Sequence, residues 1–204
     1  IAIRTGVEHW RRLRPTCMGT IYWQLNDNWP VCSWSSLEYG GRWKLLHYAA
    51  KQFYAPTSAT VHQHGENVDI WIVNDLPRSM AASVLVQVMD FEGNVLSSDE
   101  LLVEAPGAGS RRLKRYRLST LAPDPATCFL SLSPTVGNAT TRSEHFFTEY
   151  KRCDLAPAEV KADIVKDGAS FLVEVSTDKP AFFVTLETTV PGVFEDNAFL
   201  LVPG

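Results

Sequence analysis

A mainly β architecture, in which sandwich modules follow a short α/β start, is predicted by a change of period along the 204 residues. Up to Pro56 the apolar residues recur at helical spacing around one long apolar run. After Pro56 they alternate, giving seven strand-length segments before a linker at Leu155-Ala-Pro157 and three more beyond it. Seven short strands in roughly 100 residues is the number expected of an immunoglobulin-like sandwich.

The elements follow in order. Ile3, Val7, Trp10 and Leu13 form an apolar stripe while Arg4, Glu8, Arg11 and Arg12 occupy other faces, which predicts an amphipathic helix ending before Pro15. Residues 18–25 are nearly all apolar, β-branched or aromatic, the pattern of a strand buried on both faces as in a parallel sheet. A loop rich in Ser, Pro, Gly and Trp follows, and then Trp43, Leu46, Ala50 and Phe53 give a second helical stripe that must stop before Pro56. Helix, buried strand, long loop and helix form one βα unit of an α/β barrel or of a doubly wound sheet. Strands are predicted at 57–63, 68–72, 83–89, 95–103, 111–118, 127–132 and 144–151, with Glu92-Gly-Asn94 as a hairpin turn. Beyond the linker, strands at 160–165, 171–175 and 181–186 begin a second sandwich, with Asp167-Gly168 as a tight turn. Only about 50 residues remain for it, so it is expected to be incomplete or to borrow a partner for its open edge.

Composition excludes several classes. Hydrophobic residues make up 45% and charged residues 21%, which is globular rather than disordered. A formal net charge of -4 gives no electrostatic reason to expect a nucleic-acid partner. No apolar run approaches the ~20 residues that a membrane-spanning helix needs, so no membrane partner is expected. Residues 1–14 have neither the initiator Met nor the pattern of a secretory signal, so the N-terminus reads as internal to a longer chain, and localisation stays open. Cys17, Cys32, Cys128 and Cys153 lack C-x-x-C spacing and are expected to be free thiols. No cofactor is expected.

The run Gly19-Thr-Ile-Tyr-Trp-Gln-Leu-Asn-Asp-Asn-Trp-Pro30, with Ser33-Trp-Ser-Ser36, Gly41-Arg-Trp-Lys44 and Leu46-His-Tyr-Ala49, resembles the β-mannosidases of the glycoside hydrolase family 2 type. The resemblance reaches back to Glu8-His-Trp-Arg-Arg12 and forward to Phe53-Tyr-Ala-Pro56, and Asp196-Asn-Ala-Phe199 is similar to the end region of the family's last domain. It implies a fold class of immunoglobulin-like β-sandwich modules preceded by the last βα unit of a (β/α)8 barrel. The implied domains are 1–56 as the end of the barrel, 57–151 as one sandwich, and 152–204 as a second, incomplete one.

The implied activity is removal of terminal β-linked mannose with retention, from a mannoside-containing oligosaccharide or glycoside. Retaining glycosidases use two carboxyl groups roughly 5–5.5 Å apart. The family carries both glutamates on earlier strands, so no catalytic residue is assigned here, the segment is expected to be inactive alone, and its partner is the missing N-terminal part of its own chain. Barrel sites lie at the C-terminal ends of strands. That position makes Trp23 the implied floor beneath the sugar, where a pyranose C–H face packs on the indole. Trp29, Asn26 and Asp27 follow as residues that shape the loop or bond sugar hydroxyls, although Asn26 and Asp27 also suit a strand-ending turn.

Four other features are given no functional role. Glu38 lies in the same loop but matches no catalytic motif. His62 and His64 share a strand face without a carboxylate or third histidine at recognisable spacing, so no metal site is expected. Basic residues 111–117 alternate as on a solvated strand. Asn138-Ala-Thr140 is a glycosylation sequon whose meaning depends on secretion.

Two other functions remain open: a carbohydrate-binding sandwich using Trp71, and a family relative acting on a galactoside or glucuronide. Because a lone βα unit cannot close a barrel, residues 1–56 are expected to dock on the first sandwich through the second helix, the one ending before Pro56, or to associate between chains.

Overall fold

The structure, a computed structural model, describes residues 1–137 and 139–203. Asn138 of the sequon therefore lies outside the described residues. The two expected helices are α1 (Ala2–Arg12) and α2 (Leu45–Phe53). The first sandwich follows with β1 (Thr57–His64), β2 (Asn67–Asn74), β3 (Met80–Asp90), β4 (Val95–Ala105) and β5 (Gly109–Arg117). After a helical turn at Leu118–Leu121 it is completed by β6 (Cys128–Val136), β7 (Ala139–Thr140) and β8 (Ser143–Phe146). One sheet has the order β1-β2-β5; the other has β4-β3-β6-β7 with β8 also on β6. The expected last strand, 144–151, is shorter than predicted because residues Tyr150–Arg152 turn into a 3-10 helix.

The core lies between the sheets. Val68, Ile70 and Ile72 of β2 are fully buried against Val84, Val86 and Val88 of β3 and Leu130 and Leu132 of β6. Each such side chain stabilises the fold by roughly 1.5–3 kcal/mol through burial. Turns supply the connections where the sequence calls for them. The Asp90 carboxylate accepts from the backbone N–H of Glu92 and Asn94 at 3.0 and 2.8 Å, while Gly93 takes φ +97°, a conformation that penalises a β-carbon.

The alternation in β2 predicts a polar outer face, but that face is covered. α1 lies across it, so Asp69 and Val73 are as buried as the core residues. This reverses the expected orientation of α1. Its buried residues are Val7, Arg11 and Arg12, whereas Ile3, Trp10 and Leu13 are more than 40% exposed. The reason is chemical matching: the sheet offers Ser58, Thr60 and nearby carbonyls, which cationic donors can satisfy and an apolar stripe cannot.

Arg11 donates to the carbonyls of Phe53 (2.6 Å) and Ala55 (2.7 Å) and to Ser58 Oγ (3.1 Å), and pairs with Asp75 at 3.1 Å. Arg12 donates to Thr60 Oγ1 at 3.2 Å, and Ser110 Oγ donates to the Arg12 carbonyl at 2.7 Å. Docking of residues 1–56 on the sandwich therefore runs chiefly through α1 and not through α2 as expected, because the arginines that match the sheet's polar groups are on α1, with Val7 meeting Ala50 and Phe53 of α2.

Residues 18–25 are a correction. They form no hydrogen-bonded strand, and Ile21 is 96% exposed. A strand is defined by its neighbours, and among the described residues only the end of this run, Gln24 and Leu25, has backbone partners, in Ser36 and Leu37. The peptides Arg14–Pro15 and Trp23–Gln24 are cis.

The second module contains the hairpin β9 (Val160–Asp167) and β10 (Ser170–Thr177), with Gly168 at φ +59°, and the pair β11 (Ala181–Val184) and β12 (Phe199–Leu201). Ile164, Val165, Phe171 and Leu172 are about 60% exposed or more. It joins the first module through aromatic rings: Phe182 sits 4.9 Å from Phe129 and 4.8 Å from Phe146, with Phe91 stacked on Phe129 at 5.7 Å. All four cysteines are free.

Two measurements test this packing. Arg11→Ala removes three hydrogen bonds and leaves two carbonyls unsatisfied, so urea unfolding is expected to show a loss of roughly 2–3 kcal/mol. Burial, then the nearby Arg4 and Arg12, push His145 down to about 4, and its Nε2 meets Gln63 Oε1 at 2.8 Å. Its folded value is below its unfolded one, so stability is full above about pH 6.5 and declines as pH falls toward 4. Thermal scans of His145→Gln across that window should show a flatter dependence than the parent chain.

Candidate functional site

Four positions were expected to meet around the end of residues 18–25, and the loop from Gln24 to Trp43 determines how they do. The loop closes on itself: Leu37 N–H donates to the Leu25 carbonyl at 2.8 Å, Asp27 N–H to the Leu37 carbonyl at 3.0 Å, and Lys44 N–H to the Ser36 carbonyl at 3.0 Å. Two exposed indoles lie within this loop and a third immediately before it. Trp23 is 75%, Trp29 60% and Trp34 70% exposed. An exposed indole offers an apolar face able to pack on a sugar ring. Asn26 is also exposed, its side-chain amide donating to the Asp27 carbonyl at 3.1 Å.

Asp27 differs from the other three. Its side chain is 1% exposed, accepting from Ser33 Oγ at 2.5 Å on one oxygen and pairing with Lys44 Nζ at 3.0 Å on the other. Lys44 Nζ also donates to Ser35 Oγ at 2.7 Å. Hydrogen bonds from Ser33 and Ser35, reinforced by Lys44, lower the Asp27 carboxyl to about 2. The residue thus ties the two ends of the lobe to the start of α2.

A second tie lies beside it. Ser36, fully buried, donates from Oγ to the Leu25 carbonyl at 2.8 Å and lies 2.9 Å from the Tyr22 hydroxyl and 3.1 Å from His47 Nδ1. Sequence reasoning passed over Ser33, Ser36 and Lys44, because a serine-rich loop reads as generic turn composition until its partners are known.

The remaining polar candidates are engaged elsewhere. Glu38 accepts from Arg42 Nε and Nη2 at 3.0 and 2.9 Å, and that pairing lowers its carboxyl, the opposite of what a general acid requires. Trp43 packs on His47 and Tyr48 at ring distances of 4.4 and 5.2 Å, and Tyr48 is buried. On the first sandwich, the ring N–H of Trp71 is buried without a partner among the described residues. The basic β5 is neutralised locally, Lys114 pairing with Asp99 and Arg115 with Asp69.

The tie through Asp27 has a direct check. Asp27→Asn keeps the shape but loses the charge opposite Lys44, so amide exchange across residues 24–37 should speed up about tenfold or more relative to β2 and β3. Unchanged protection would mean that the lobe holds its shape without this carboxylate.

The Mannosidase Ig/CBM-like domain family matches residues 66–152, and an Ig-fold domain family of mannosidases matches residues 155–204. The β-mannosidase of Capra hircus is 33% identical over 98% of this chain and 25% of its own length. β-Mannosidase A of Aspergillus clavatus is 28% identical over 92% of this chain and 22% of its own. The crystal structure of the β-D-mannosidase from Dictyoglomus thermophilum superposes with a TM-score of 0.88 over 99% of this chain and 25% of that one, at 24% identity, and so supports the fold. The chain spans about a quarter of the length of the curated relatives it matches. With two mannosidase domain families in tandem and relatives aligned across nearly all of its residues, the chain belongs with the β-mannosidases of the glycoside hydrolase family 2 type.

Proposed function

We propose that this chain is the C-terminal part of a retaining glycoside hydrolase that removes terminal β-linked mannose, contributing the rim of the sugar site and two scaffold sandwiches. Residues 1–56 are the closing unit of the (β/α)8 barrel, 57–151 the first sandwich and 152–204 part of the second. The observation that carries this reading is the state of residues 18–25. An apolar run with Ile21 almost fully exposed, ending in the exposed Trp23, has the chemistry of a barrel strand whose two neighbours belong to other residues.

Within that site Trp23 is the platform beneath the sugar ring, and Trp29 and Asn26 border it. The buried pairing of Asp27 supports a positioning role, since its carboxylate oxygens already hold Ser33 and Lys44. No carboxylate of this chain is assigned to catalysis; the resemblance puts both glutamates on earlier barrel strands. A carbohydrate-binding module centred on Trp71 has less support, because its ring N–H is buried. Architecture is shared with hydrolases of other β-glycosides, and sugar choice is made by side chains around the ring.

Nitrophenyl glycosides test the proposal. The 204-residue chain should release no nitrophenol from the β-mannoside, whereas the full-length protein should, and faster than from the galactoside or glucuronide. Trp23→Ala in the full-length protein is expected to lower kcat/KM about 10- to 100-fold. Turnover by the 204-residue chain would refute the assignment of the carboxylates, and an unimpaired Trp23→Ala would refute the platform.

A further inference from the structure

His62 and His64 were a poor metal site in the sequence because no third ligand stood at a recognisable spacing. The fold supplies one. The β1–β2 hairpin pairs His62 with Asp69, so the carboxylate arrives from across the ladder rather than from along the chain. One nitrogen of each imidazole and one oxygen of Asp69 all lie within 4.8 Å of one another. The two rings sit side by side, 4.7 Å apart and 22° from parallel, and imidazole rotation about the final torsion is soft enough to turn a nitrogen of each toward a shared point. His9 of α1 is a third imidazole nearby, its ring 6.3 Å from that of His62.

We infer that His62, His64 and Asp69 form a binding site for a divalent transition ion of the zinc type on the outer edge of the first sandwich. Two imidazoles and a carboxylate suit zinc, whereas calcium and magnesium require six or more oxygen ligands, several from protein or water. Asp69 is not idle: Arg115 donates to its two oxygens at 2.6 and 2.8 Å, and Arg112 lies 3.7 Å from Oδ2. Each carboxylate oxygen has a second lone pair, so ligation can coexist with the arginine fork, but the guanidinium charge opposes the cation. Arg115 therefore sets the affinity, and the imidazole pair sets the selectivity. The site stands on the side of the sheet that faces α1, outside the proposed sugar rim, and its ion would fasten α1 through His9 if that ring joins the ligands.

Calorimetric titration of the full chain, without an affinity tag, with zinc chloride and with calcium chloride tests the inference. One zinc per chain is expected, with no calcium heat. His64→Ala and His62→Ala should each weaken zinc binding about tenfold or more, and Asp69→Asn less steeply. Arg115→Gln, which relieves the competing charge, should tighten it, and Cys32→Ser should leave it unchanged. Absence of zinc binding, binding that survives both histidine variants, or loss in Cys32→Ser instead would overturn the site. Asp69→Asn with undiminished affinity, in protein shown to be folded by circular dichroism, would overturn the three-ligand assignment. Because Asp69 is buried, the two histidine variants on the strand surface keep the test decisive if Asp69→Asn does not fold.

Discussion

The guanidinium of Arg11 is the contact on which the arrangement of the first 56 residues depends. It reaches the end of α2, the connection to β1 and a loop of the first sandwich at once, through carbonyls at Phe53 and Ala55, the Ser58 hydroxyl and the Asp75 carboxylate. A planar donor with five N–H groups is suited to such a junction, and a lysine would satisfy fewer of these directions. With that junction made, α1 lies flat on the sheet, β2 becomes buried on both sides, and the lobe bearing the tryptophans emerges from a fixed base.

Most of the fold was legible. Helical stripes gave α1 and α2 within a residue or two, and alternation gave the strands of the sandwich, because burial between two sheets imposes a period of two that local composition records. What escaped was anything determined by a partner distant in sequence. The inward face of α1 was misassigned because Arg11 and Arg12 read as solvated until polar groups of the sheet are opposite them. The run at 18–25 carries the composition of a strand, yet a ladder needs a partner along its whole length, and here only Gln24 and Leu25 find one, in Ser36 and Leu37.

The site was legible in outline and not in its internal division of labour. The run around Trp23 and Trp29 announced an aromatic rim, and both indoles are exposed. Asp27 and Asn26, adjacent in sequence and alike in chemistry, end in opposite environments: one buried between Ser33 and Lys44, the other open to solvent. Nothing local separates them, since the burial of Asp27 is imposed by Lys44 seventeen residues later. The same limitation concealed Asp69 behind His62, a neighbour created by hairpin register alone.

The phenylalanine cluster at the junction of the two sandwiches bears on how the second module is held. A linker such as Leu155-Ala-Pro157 would ordinarily let two modules swing freely, but Phe182 is wedged among Phe91, Phe129 and Phe146 and removes that freedom. Lys51 and Gln52 of α2 add a second contact, donating to the Glu195 carbonyl and to the Asp196 carboxylate, so the second module is held at two places. The fastened part of the C-terminal half is thus the β11–β12 pair, while β9 and β10 keep apolar faces open.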